Sequence, residues 1–103
     1  MTKTEKSVTF MDVATFLRLC AVKLEYVADP CEIKRKGTLA LAFAGATVKS
    51  LDEKGNFLGG QLERRCYLLE KYENCGSPDF IVFLLNHFAD TFEFVGLTQY
   101  AGR

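Results

Sequence analysis

The sequence predicts an all-α protein, a single domain built as an antiparallel, bundle-like arrangement of four helices. Leu and Ala together number 22 residues against nine for Ile and Val, a ratio that favours helix over sheet. Apolar residues recur at steps of three and four in four segments, which capping residues, Pro or Gly separate by short turns. Helices joined by short turns pack antiparallel. We assign residues 1–103 to one domain and expect residues 1–7 to form a disordered N-terminal tail.

The first helix follows a capping box. Thr9 can cap it while Asp12, three residues later, reaches back to the cap, with Asp in place of the usual Glu. Pro30 is expected to end the helix. One apolar stripe runs through Val13, Phe16, Leu17, Cys20, Leu24, Val27 and Ala28.

The second helix is predicted to begin at that same proline. Asp29 is placed as its N-cap, and Glu32 follows three residues after the cap. Gly55 is the expected stop. Alternating large and small side chains over residues 38–46 leave a strand as the alternative, although Ala is a poor strand residue. The inner face has many small residues, which would let a neighbouring helix approach closely: Ile33, Gly37, Ala40, Leu41, Ala44, Val48 and Leu51.

The third helix has a shorter apolar stripe. Gly59 and Gly60 each weaken a helix by about 1 kcal/mol relative to Ala, so we expect this helix to begin near Gln61. Gly76 suits the position just past its end. The stripe consists of Leu58, Leu62, Cys66, Leu69 and Tyr72.

The fourth helix has a strong start signal. Ser77 can cap it, Pro78 fits the first helical position, and Asp79 places an anion in the first turn, where the helix dipole favours it. Residues 91–97 could continue the helix or form a strand. Strands at both 38–46 and 91–97 would change the class to α+β.

The overall charge gives no reason to expect binding to nucleic acid or to an anionic membrane, because 13 Lys and Arg balance 13 Asp and Glu. The start of the chain lacks the apolar segment of a signal peptide. The longest uninterrupted apolar run, Phe80–Leu85, has six residues, far fewer than the ~18–20 that cross a bilayer. We therefore predict a cytoplasmic protein without a membrane partner, whose four cysteines are reduced.

Groups suited to catalysis or metal binding are sparse. The single histidine, His87, lies between Phe83 and Asp90, where an acid three residues on can satisfy its ring nitrogen, so we interpret it as a core-boundary residue. No C-x-x-C or H-x-x-x-H half-site occurs, and a zinc site from Cys66, Cys75 and His87 would need tertiary folding to assemble. We predict no enzymatic activity, no metal and no cofactor.

Cys31 is the one candidate for a reactive thiol. It lies in the first turn of the second helix, where the dipole stabilises a thiolate, and Lys34 and Arg35 follow one turn later. The neighbouring Glu32 opposes that effect. The alternative interpretation is an ordinary residue at a helix start.

The fourth helix has more apolar surface than one face of a small bundle requires. Either it is central and packed on several sides, or part of it is an interface. We predict a small non-enzymatic protein–protein interaction or regulatory module that binds another protein or itself as a homodimer. The predicted partner-binding residues are Phe80, Phe83, His87, Phe88, Phe92 and Phe94.

The alternative function is a nucleic-acid-binding regulator that uses two basic clusters. Both clusters have acidic neighbours, and no helix-turn-helix, zinc-finger or RNA-binding signature is present, so a solvated helix face is the simpler interpretation. The residues concerned are Lys34, Arg35 and Lys36 in one cluster and Arg64 and Arg65 in the other.

Overall fold

The computed structural model describes residues 8–71 and 77–101, and this part of the chain contains four α-helices and no strand. They are α1 (Phe10–Leu24), α2 (Pro30–Lys49), α3 (Glu53–Lys71) and α4 (Pro78–Ala101). The all-α prediction is confirmed, and the strand alternative is wrong because residues 38–46 lie inside α2 and residues 91–97 inside α4. The predicted tail at 1–7 lies outside the described residues.

Three of the helices begin where their capping residues predicted. The Asp12 amide donates to Thr9 Oγ1 at 3.1 Å, and the Thr9 amide donates to Asp12 Oδ2 at 2.9 Å, which completes the capping box of α1. Asp29 caps α2 by accepting the Cys31 amide at 3.0 Å. Ser77 caps α4, since its Oγ accepts the Phe80 amide at 3.2 Å.

Three other boundaries differ from the predictions, and the end predicted for the third helix at Gly76 lies outside the described residues. Helix α1 ends at Leu24 rather than at Pro30, and α2 ends at Lys49 rather than at Gly55. Helix α3 begins at Glu53, well before Gln61. Asp52 accounts for the early start, because its Oδ1 accepts the Gly55 amide at 2.7 Å in the manner of an N-cap.

Helix α2 is central. It packs against each of the other three helices, and the most extensive helix–helix contacts are those of α2 with α3 and of α1 with α4. Helices α1 and α4 run antiparallel: the rings of Phe10 and Phe92 are 6.1 Å apart at one end, while Leu24 and Ile81 meet beside Gly37 at the other. Within 8–71 and 77–101, the backbones of α3 and α4 do not approach one another. The largest completely buried side chains are Leu17, Leu41, Leu62, Leu69, Ile81, Leu85 and Phe92.

Small residues on α2 allow the close approaches that the sequence predicted. A Cβ placed on Gly37 would lie 2.1 Å from Ile81 Cγ2 of α4. A Cβ on Gly59 of α3 would lie 2.5 Å from the carbonyl oxygen of Gly45 in α2. Any side chain at these points would push the helices apart.

Candidate functional site

The aromatic side chains of α4 are divided between the core and the surface. Phe92 is 0% exposed and Phe88 is 8% exposed, so both belong to the core. Phe83 and Phe94, on the opposite side, are 58% and 70% exposed, and Phe80 is half-buried. Six residues were predicted for partner binding, and four of them are half-buried or exposed: Phe80, Phe83, His87 and Phe94. The apolar side chains of α4 therefore lie partly in the core and partly on the solvent-exposed surface.

Three rings form a stack along the surface of α4, which we call the aromatic ladder. Phe80 and Phe83 are stacked with ring centroids 6.2 Å apart, and Phe83 stacks in turn on His87 at 5.8 Å. His87 also contacts the ring of Phe88 edge-on at 5.3 Å. Spacings of three and four residues place these side chains one above another.

The acid expected to satisfy His87 has a different partner. Arg18 of α1 donates to Asp90 Oδ1 at 2.8 Å and also pairs with Glu93, which joins α1 to α4. Hydrogen bonds to these two carboxylates raise the pKa of Arg18 above its ordinary value. The predicted contact between His87 and Asp90 is wrong, and no hydrogen bond to the imidazole is found among the described residues. His87 is exposed and is positioned by the rings on either side of it.

A groove of about 420 Å³ lies between α3 and α4. It exists because both helices pack on α2 without approaching each other. Leu58 and Leu68 of α3 and Phe88 of α4 supply its apolar part. Its polar lining consists of Gln61, Arg64, Arg65, His87 and Thr91. We refer to this site as the α3–α4 groove.

The α3–α4 groove is basic and lacks a balancing acid. No carboxylate is among its lining residues, and neither Arg64 nor Arg65 forms an ion pair within the described ranges. Glu63, which precedes them, is bound by Lys49 of α2 at 2.9 Å. Arg64 and Arg65 therefore present guanidinium groups whose donors are available to a ligand.

The other predicted basic residues lie elsewhere. Lys34 and Arg35 line a second groove of about 470 Å³ between α2 and α3, where Glu70 supplies a negative charge. Lys36 binds Glu32 at 2.8 Å and borders a separate depression. The five basic residues predicted for nucleic-acid binding are thus spread over different grooves.

The three thiols of the described residues are free and differ in exposure. Cys31 is exposed and lines the groove beside Lys34 and Arg35, and its reactivity stays a prediction. Cys66 is buried between α2 and α3, where its Sγ donates to the Thr38 carbonyl at 3.9 Å. Burial, with smaller contributions from Glu70 and Glu63, raises the pKa of Cys66 to about 11.

No group of metal-binding side chains is found in the part of the chain that the structure describes. Cys66 lies in the core next to α2, while His87 lies on the α3–α4 groove. Cys75, the third residue considered for zinc, lies outside the described residues.

The sequence contains a signal for this groove in a second stripe along α3, outside the apolar stripe assigned to that helix above. Leu58, Gln61, Arg65 and Leu68 recur at steps of three, four and three along α3, beside the stripe that faces α2. Such a second stripe predicts a second contact face on the helix. Which element it faces depends on how α3 and α4 are arranged around α2, and this is a tertiary property.

Helix α4 also meets a criterion that we had not expected. By length and composition alone, Pro78–Thr98 is long and apolar enough to cross a membrane. Helices in the cores of soluble proteins can be equally long and apolar, and 39% of this stretch is buried within the protein. Arg18 binds two carboxylates within this stretch, which fits a helix packed in a protein. Cytoplasmic localisation stays a prediction.

No family model, curated protein or solved structure matches the chain.

Proposed function

We propose that this protein is a non-enzymatic protein-interaction module whose binding surface is the α3–α4 groove with the aromatic ladder at its edge. The observation that carries the proposal is the composition of the groove: an apolar part formed by leucine and phenylalanine beside two arginines that no acid of the described residues neutralises. Aromatic residues and arginine are the residue types enriched in the centres of protein interfaces.

The exposure of the aromatic ladder supports the same surface. Phe83 is 58% exposed, although a phenylalanine gains stability from burial. Its ring is already oriented by Phe80 and His87. A side chain held in one orientation loses little conformational entropy on binding, so Phe83 is well suited to anchor a partner.

The chemistry of the lining argues against catalysis in this groove. Among the described residues that line it, His87 alone has an ordinary acid–base role, and these residues include neither a carboxylate to orient the imidazole nor a thiol to act as nucleophile. Thr91 Oγ1 donates to the backbone carbonyl of His87 at 3.0 Å, which is a bond within the helix.

A second copy of the chain is a poorer occupant of the groove than a different protein. Two grooves that face each other across a twofold axis would bring Arg64 and Arg65 of both copies together, and like charges at an interface are unfavourable. Of the two partners that the sequence left open, we therefore propose a different protein.

Site-specific photocrosslinking in the native host tests the proposal. A photoreactive phenylalanine analogue replaces Phe83, and the matched control carries it at Phe43, which is 61% exposed on α2 and contacts Phe16 of α1. We expect a discrete adduct of higher mass from position 83 and none of that mass from position 43.

Three results would contradict the proposal. Equal adducts from both positions would show that any exposed phenylalanine is captured, and no adduct from position 83 would show that the surface is unoccupied. One chain has a mass of 11.6 kDa, and an adduct of twice that mass would identify a homodimer instead.

A further inference from the structure

We infer that the ligand of the α3–α4 groove is an acidic amphipathic helix of another protein. This inference rests on the proposed function and adds the chemistry of the partner to it. Three properties of the groove support it: its length, the spacing of its lining residues and its charge.

The length of the groove suits a short helix. Leu58 and Leu68 are ten residues apart on α3, which corresponds to about 15 Å at the rise of an α-helix. A partner helix of about ten residues lying along α3 spans that distance. A helix this short is marginal alone in water, so the partner segment would become ordered on binding.

The spacing of the lining residues suits the same ligand. Leu58, Gln61, Arg65 and Leu68 project at steps of three and four, the spacing of one face of a helix. A second helix with apolar residues at the same steps can interdigitate with this face. The groove is bounded by a helix on each side, so the ligand would fill the position between α3 and α4.

The positive charge of the groove favours a partner with negative charge. Arg64 and Arg65 each offer a planar fork of donors that matches a carboxylate. A carboxylate bound there would replace water on a cation that pairs with no acid within 8–71 and 77–101. A basic helix would meet two fixed positive charges. The second groove, between α2 and α3, contains Glu70 beside Lys34 and Arg35, so it has no comparable preference.

The experiment is a selection that does not require the natural partner. The probe is a display library of 16-residue peptides, with Leu at one face in helical spacing and every other position randomised. It is selected separately against the wild type and against the double variant Arg64→Glu, Arg65→Glu. Both arginines are exposed, so this variant is expected to fold, and its circular dichroism spectrum verifies that.

We expect the wild type to select peptides rich in Asp and Glu beside the leucine face, and the double variant to select peptides with the opposite charge. Acidic peptides should bind the double variant about tenfold or more weakly, as expected when one charge-assisted hydrogen bond is lost. Arg35→Glu, which reverses a charge in the second groove, is the matched control and should leave their affinity unchanged.

Neutral or basic peptides from the wild-type selection would overturn the inference, as would acidic peptides that bind the double variant equally well. A labelled single-stranded oligothymidylate is a separate probe. If it binds through Arg64 and Arg65 while no acidic peptide is selected, the groove binds nucleic acid and the inference is wrong. A positive crosslink at Phe83 together with a failed selection would retain the protein-binding function and reject only the acidic helix.

Discussion

Two adjacent glycines in α3 provide a matched pair that tests how closely α2 and α3 approach. Gly59 faces α2, where an added Cβ would lie 2.3 Å from Lys49 Cγ and 2.5 Å from the Gly45 carbonyl oxygen. Gly60 has no atom within 4 Å of the same position. Both lie inside α3, so Gly→Ala removes the same intrinsic helix penalty at each, about 1 kcal/mol.

The difference between the two variants isolates the cost of the close approach. A Cβ at Gly59 would lie 2.5 Å from the Gly45 oxygen, well inside the 3.4 Å at which ordinary contact begins. Lys49 Cγ can rotate away, but the Gly45 oxygen belongs to the backbone, so the helices themselves must separate. Overpacking of this kind costs about 1–3 kcal/mol. We expect Gly60→Ala to stabilise the protein by about 0.5–1 kcal/mol and Gly59→Ala to be less stable than Gly60→Ala by about 1–3 kcal/mol.

Urea denaturation followed by circular dichroism measures this difference, and thermal unfolding gives an independent value. For a domain of this size the gap corresponds to a separation in Tm of at least about 4 °C. Equal stabilities for the two variants, or a less stable Gly60→Ala, would refute the close approach of α2 and α3.

Burial raises the pKa of Cys66 from 9.0 to about 11, so the stability that its neutral thiol contributes is complete below pH 9 and is lost towards pH 11. The difference in unfolding free energy between the wild type and Cys66→Ala should therefore become smaller from pH 9 to pH 11. A difference that stays constant over this range would contradict the raised pKa. In variants that retain one thiol, iodoacetamide should modify Cys31 in the folded protein but Cys66 only after unfolding, and equal rates contradict the burial of Cys66. Arg18→Met should destabilise the protein by no more than about 1 kcal/mol, yet by more than Lys23→Met. Among the described residues, Arg18 forms ion pairs with two carboxylates of α4, whereas Lys23 forms none. Equal urea midpoints for the two variants would contradict a stabilising contribution from these ion pairs.

The helix starts could be predicted because the chemistry that makes them is local. Thr9 with Asp12, Asp29 with Cys31 and Ser77 each act within three residues, so the capping groups stand together in the sequence. The buried faces were predictable for a related reason: the helical period alone decides which residues share a side.

The glycines of α3 were misread because their role depends on another helix. Their low helix propensity predicted a late start, and that penalty is real for an isolated helix. In the folded chain the Asp52 cap starts α3 earlier, and Gly59 lets α3 pack closely against Gly45 of α2. Local propensity contains no information about such a neighbour.

The candidate site was predicted only in pieces. His87 and Phe88 were identified on α4, and Arg64 and Arg65 were assigned to a different function, but nothing local indicated that these four residues line one groove. Phe92 was counted as a surface residue because the sequence did not reveal which side of a nearly all-apolar helix faces the core.

The attachment of α3 has a consequence for the motions of the protein. In the described part of the chain its backbone approaches that of α2 alone, while α2 has three helical neighbours. Segments with few neighbours exchange their amide hydrogens through local openings of lower free energy than global unfolding. Helix α3 should therefore exchange fastest of the four. A ligand that bridges α3 to α4 would close this opening and slow exchange along all of α3, including amides that the ligand never touches.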